Sequence, residues 1–152
     1  MEDFLLSVHV LAGIVFIGGS AVATSLFPRY VPVAVPEGAS QPDERSRAVA
    51  VALHRITRGY SLFGVVVPAA GLILAFVQGR TGEIWITLAM ILTAAAGVLL
   101  ALQVHPRQRQ ALDTLVDRDR LRPLSMIAGF YNLLWAIVVV LMIVRPGAPE
   151  GL

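Results

Sequence analysis

The chain contains no cysteine and no lysine. The first absence excludes disulfides, thiolate metal sites and cysteine nucleophiles. The second leaves arginine to supply every fixed side-chain positive charge, all twelve of them. Charge is scarce altogether: 14% of residues are charged, against about 25% in ordinary soluble domains. No Gly-rich phosphate loop, catalytic triad or metalloprotease signature is present.

What is present in quantity is apolar surface, 57% of residues. It is gathered in four runs, Phe4–Phe27, Tyr60–Val77, Ile84–Val104 and Met126–Val144, none of which contains a charged residue. Each is close to the ~20 residues a helix needs to cross ~30 Å of hydrocarbon at 1.5 Å per residue. The expectation is a single all-α transmembrane domain over 1–152, with little chain left for a soluble domain. The absence of Asp, Glu or Lys from the runs argues against a proton-coupled pump or transporter. The pI near 9.7 does not imply nucleic acid, because the basic residues flank apolar runs and read as a topology signal. The first run is preceded by Glu2 and Asp3 rather than by positive charge. At ~24 residues it is also longer than a signal h-region, so it is expected to be a retained span.

The arginines segregate. Arg29, Arg45, Arg47, Arg55 and Arg58 lie between the first two runs, and Arg107, Arg109, Arg118, Arg120 and Arg122 between the last two. Only Arg80 lies between runs two and three, and only Arg145 follows the fourth. Arginine-rich short loops stay cytoplasmic. This predicts a multi-pass protein of the bacterial cytoplasmic membrane with both long loops inside and both termini outside.

Each long loop is expected to hold a helix at the cytoplasmic interface. Pro28, Pro32, Pro36 and Pro42 predict an extended stretch after the first span. Asp43 is the expected N-cap of a mildly amphipathic segment, with Val49, Ala52, Leu53 and Ile56 on one side and arginines elsewhere. It leads into span two, either as one long helix or with a break at Gly59. In the second loop Pro106 suits a first turn, and Leu112, Leu115 and Val116 follow helical spacing among Asp113, Asp117 and Asp119.

Helices in hydrocarbon associate through close packing and polar contacts, so small residues mark their inner faces. The expected faces are His9, Gly13, Ser20 and Thr24 in span one, and Gly64, Pro68 and Gly71 in span two, where Pro68 predicts a kink. In span three the face is Ala89, Thr93, Gly97 and Ala101; in span four it is Ser125, Gly129, Asn132 and Ala136. The expected architecture is an antiparallel four-helix bundle. Trp85 sits where an outer interfacial anchor belongs, and Glu83 in an outer, solvated loop.

Few side chains could carry chemistry. His9 lies inside span one on the small-residue face, and an ionisable group there is costly unless it shed its charge or serves a function. A neutral histidine bonded to a neighbouring helix is one reading. A ligand for haem b or for copper is the other, with Met90 at similar depth as its partner. Met142 shares that depth but lies about 100° around the wheel from the Ser125–Asn132 face. His54 and His105, near the cytoplasmic ends of spans two and three, can approach one another. Tyr60, Ser61, Tyr131 and Asn132 form a polar layer, suited to interhelical hydrogen bonds or to a quinone or other small substrate.

At residues 5–19, LLSVHVLAGIVFIGG, and 120–147, RLRPLSMIAGFYNLLWAIVVVLMIVRPG, the chain resembles an uncharacterised bacterial family of four-span predicted integral membrane proteins. That family is distantly similar to the copper-resistance D membrane proteins and to the four-helix haem-linked protoporphyrinogen oxidases. The resemblance implies a four-helix membrane fold and aligns His9 with a first-helix histidine of all three groups. Pro28–Arg29 is similar to a proline-arginine pair of the oxidases, at a longer spacing from the histidine, and the lysines of those oxidases have no counterpart here. The functional expectation is a membrane protein without its own catalysis, an accessory or assembly partner of other membrane subunits or of its own copies. The alternative is a haem- or copper-binding protein using His9.

Overall fold

A computed structural model describes residues 2–40 and 45–147. Asp43, the expected cap, lies outside the described residues. The described residues form six α-helices, α1 (Glu2–Tyr30), α2 (Arg47–Phe63), α3 (Val66–Val77), α4 (Ile84–Leu99), α5 (His105–Asp113) and α6 (Arg118–Val144), with a π-helical turn at Leu100–Val104. They make four rods, Asp3–Tyr30, Arg47–Val77, Ile84–Asp113 and Arg118–Val144, each long and apolar enough to cross a membrane.

The rods outrun the apolar segments at the arginine-bearing end. The two interfacial helices expected there are not separate elements. α2 begins at Arg47, with the Ser46 hydroxyl accepting from the Val49 N–H, and passes Gly59 unbroken. α5 continues the α4 rod through the π turn. The reason is economy of backbone hydrogen bonding: a helix carried past the apolar boundary leaves no unpaired ends there, whereas a corner would. α1 likewise continues through Pro28 to Tyr30, in its last turn, where the lost N–H costs one bond.

Both irregularities in the rods trace to proline. The α2–α3 rod is faulted at Gly64–Val65, one turn before Pro68, which has no N–H for the Gly64 carbonyl and crowds it with its ring. The π turn ends with the His105 N–H bonded to the Leu100 carbonyl, immediately before Pro106, which cannot bond the Leu102 carbonyl.

Helix α1 packs against α2, α3 and α6, and α4 packs on α6, while α3 and α4 touch only sparsely. The main buried cluster sits towards the arginine-bearing end, around Ala23, Phe27, Val31, Ala50, Leu53, Ala96, Leu100, Val104, Leu121 and Leu124. There the connections join in. The Ala34 N–H donates to the Val116 carbonyl (3.1 Å) beside a bridge between Val33 and Val116. This replaces the expected surface-helix role of Leu115 and Val116: the helix stops at Asp113, and Leu115 is exposed. Arg45 donates to the Pro28 and Val31 carbonyls (3.3 and 2.5 Å), and Arg47 to the Leu112 carbonyl (2.6 Å).

At the opposite end Glu83, expected to be solvated, is instead held. It pairs with Arg80 (3.4 Å) and accepts from the Trp85 indole, and Arg145 lies 5.9 Å over the Trp85 ring.

Two expected inner faces shift. α4 buries Ile86, Ala89, Thr93 and Ala96, followed by Leu100 and Val104, so the stripe leaves Gly97 outside. α6 buries Leu121, Leu124, Ala128, Tyr131, Leu134 and Val138, and turns Ser125, Gly129 and Ala136 outward. The buried side of α6 carries mostly large side chains, with Ala128 among them, and small residues are also buried at Ala23, Ala50 and Ala96. The outside is strongly apolar, with Phe76 77%, Ile143 75% and Phe4 70% exposed.

Ala50 and Ala96 therefore mark the tight crossings. Ala50→Leu or Ala96→Leu is expected to destabilise by about 1–3 kcal/mol through overpacking, whereas Phe76→Ala leaves stability unchanged. Unfolding in mixed detergent micelles, followed by circular dichroism, measures both.

Candidate functional site

A cleft of about 530 Å³ runs along α4 from Met90 to Leu102 in the π turn, which at 1.5 Å per residue is ~18 Å. Its other walls come from α1 (Phe16, Ser20), from the α2–α3 fault (Tyr60, Ser61, Gly64, Val67, Pro68) and from α6 (Tyr131, Trp135). It exists because the fault bends the second rod away just where Gly97 and Ala101 give α4 a low profile. Val65, Val98 and Leu102 at its edges are exposed, so the cleft opens sideways through the apolar surface.

Its deep wall is aromatic with hydroxyl groups. The Tyr131 and Ser20 hydroxyls are 2.7 Å apart and buried. Trp135 stands edge-on to Tyr131 (centroids 6.3 Å, 83°), and Phe16 edge-on to Tyr60 (5.3 Å, 70°). Gly19 makes the second contact feasible, since a Cβ there would collide with the Tyr60 hydroxyl. The Ser61 hydroxyl is spent on the Thr57 carbonyl of its own helix (2.9 Å).

The cleft thus gathers Tyr60, Ser61, Tyr131 and Met90 of the residues singled out in the sequence. Asn132 is elsewhere, donating to the Ser25 hydroxyl (2.8 Å) between α6 and α1. Trp135 and Phe16 were not singled out. The usable signal for Trp135 was its position one turn after Tyr131 on the same face.

His9 does not line the cleft. Its imidazole packs on the α3 backbone at Gly71, where a Cβ would lie 2.8 Å from Cε1, so glycine there makes the seat. Among the described residues no three His, Asp or Glu side chains are grouped as metal ligands. Met90 lines the cleft, whereas His9 is seated on Gly71.

His54 and His105 do meet. Their rings stack at 4.8 Å with 21° between planes, and His54 Nδ1 lies 3.2 Å from Oε1 of the fully buried Gln108. Near-parallel rings send their nitrogen lone pairs in parallel rather than towards one point ~2 Å away, so the stack is built for packing α2 on α5 rather than for chelation.

No protein-family model, curated protein or solved structure matches this chain.

The Tyr131–Ser20 bond joins α6 to α1 inside the apolar layer. Tyr131→Phe is expected to cost about 0.6 kcal/mol. Gly19→Val, by expelling the Tyr60 ring, is expected to alter the near-ultraviolet dichroism of the aromatic wall while far-ultraviolet helicity is retained. Thermal unfolding in detergent and the two spectra check this.

Proposed function

We propose that this chain is a multi-pass protein of the bacterial cytoplasmic membrane, four spans with both termini outside. It works without catalysis of its own, as an accessory or assembly subunit that receives an apolar helix of another membrane protein along the α3–α4 cleft. The observation that carries this reading is the cleft wall of α4: Ala94, Gly97 and Ala101 lie on an outward-opening surface. Small residues let a partner backbone approach, and in hydrocarbon such packing is the main source of association.

The membrane setting is supported by the four apolar rods and by large apolar side chains left uncovered around them, a surface far beyond what a water-soluble monomer exposes. Opposed helix directions, as in an antiparallel bundle, are supported by the order of contacts. His9 meets Gly71 while Gly19 meets Tyr60, so positions rise along α1 as they fall along the second rod. The arginine count orients the whole.

A photo-crosslinking amino acid at Val98, in native membranes, is expected to give a discrete adduct with one other membrane protein or with a second copy. Gly97→Leu, by raising the floor, is expected to abolish that adduct without changing the yield of folded protein. Adducts with lipid alone overturn the proposal. So does a Soret band or stoichiometric copper in the purified protein that is lost in His9→Ala, which would install the haem or copper reading instead. Reporter fusions at either end that prove active on the cytoplasmic side would reverse the orientation.

A further inference from the structure

The second concavity, about 650 Å³, lies between the end of α1 and the start of α6, at the arginine-bearing end. Four guanidinium groups line it: Arg29 and Arg45 on the α1 side, Arg118 and Arg122 on α6. The Ser125 hydroxyl beside them is spent on the Leu121 carbonyl (3.1 Å) and the Ser25 hydroxyl accepts from Asn132, while Leu26, Leu121 and Met126 form the side continuous with the apolar surface, Met126 being 75% exposed.

These arginines are not equivalent. Arg45 is committed to the last carbonyls of α1. Arg122 pairs with Asp119 at 3.7 Å, but both side chains are more than four-fifths exposed, so the pair is weak. Among the described residues, Arg29 and Arg118 make no ion pair within 4.0 Å. The pocket also lies at the first turns of the 27-residue α6, whose N-cap, Asp117, makes no side-chain capping bond. The unpaired N–H groups and the positive end of the helix dipole there add to the guanidinium field. Four positive groups around one concavity, with an apolar flank on one side only, match a phosphate attached to acyl chains.

We infer that this pocket binds the phosphate of an anionic glycerophospholipid of the cytoplasmic leaflet, its acyl chains running along Leu26 and Met126 between α1 and α6. Arg29 and Arg118 grip the phosphate oxygens, Arg122 contributes from the rim, and Arg45 fixes the wall. The inference rests on the membrane reading above but not on the cleft. Basic pockets between spans at the cytoplasmic face are the expected form of such recognition, and guanidinium suits phosphate through its forked donors.

The full chain in neutral detergent is titrated with phosphatidylglycerol, with phosphatidylcholine and with inorganic phosphate, and lipid adducts are read by native mass spectrometry and the midpoint by thermal unfolding. Phosphatidylglycerol is expected to bind and raise the midpoint, while phosphatidylcholine and inorganic phosphate do neither at the same concentration. Arg29→Gln with Arg118→Gln is expected to weaken phosphatidylglycerol about 30-fold, which is ~2 kcal/mol at ~1 kcal/mol per arginine. The control pair Arg55→Gln with Arg109→Gln leaves it unchanged. Should the glutamine pair fail to fold, Arg29→Lys with Arg118→Lys keeps the charge, and selective phosphatidylglycerol adducts are expected to remain. Equal binding of phosphatidylcholine, undiminished phosphatidylglycerol binding in a folded glutamine pair, loss of selectivity in the lysine pair, or equal stabilisation by inorganic phosphate each overturns the lipid site. Release of the protein from membranes by alkaline carbonate without detergent instead overturns the membrane reading itself.

Discussion

Guanidinium-to-carbonyl hydrogen bonds at one end of the molecule are the interaction on which the rest depends. Arg45 closes the end of α1 by bonding the Pro28 and Val31 carbonyls, and Arg47 crosses to the Leu112 carbonyl at the end of the α4–α5 rod. A helix end carries unpaired carbonyls and a partial negative charge, so a cation with several donors satisfies both needs at once. With no lysine in the chain, arginine performs this and also supplies the charge asymmetry that orients the proposed spans. Three of the four rods are thereby tied together close to the main buried cluster.

Away from that end the fold is held more lightly. In hydrocarbon there is no gain from burying leucine against leucine, so the rods need only a few close crossings and interhelical bonds. Ala23, Ala50 and Ala96 supply the crossings, and Tyr131–Ser20 and Asn132–Ser25 supply the bonds. This economy leaves room for a cleft. Pro68 bends one wall away, Gly97 and Ala101 lower the other, and Tyr60, Tyr131 and Trp135 fill the back. One proline, by withholding its N–H group, and two small residues opposite it thus account for the shape of the surface on which the proposed partner sits.

Much of the architecture was legible in the sequence because the bilayer-length code is simple: four uncharged runs correspond to four rods, and the small face of α1 does turn inward. The continuity of α2 with the second rod was legible as one of two readings; the π turn and the continuity of α5 with the α4 rod were not. Whether a helix stops at the apolar boundary depends on which neighbour takes its end groups, and Arg47 provides that at the Leu112 carbonyl only after the loops have folded. The small face of α6 misled for a related reason. Ser125, Gly129 and Ala136 would suit a close crossing, but the side of α6 that turns inward is the one carrying Leu124, Ala128, Tyr131 and Leu134. For the candidate site, Tyr60, Ser61 and Tyr131 were singled out as a polar layer and Met90 as a partner of His9, and all four line the cleft. That Asn132 faces α1 instead, and that Trp135 completes the wall, required the rotation of α6 about its axis, which composition does not encode.

The latch of Arg80, Glu83, Trp85 and Arg145 clasps the start of α4 to the end of α6 on the side away from the main cluster. Among the described residues, no ion pair holds the start of α1. His9 in its seat at Gly71 ties the early turns of α1 to α3. The far end of the molecule is therefore fastened in two ways, by charge and an aromatic ring between α4 and α6 and by the fit of one imidazole against one glycine between α1 and α3. A methyl group at residue 71 would unseat the imidazole and leave the α4–α6 side untouched.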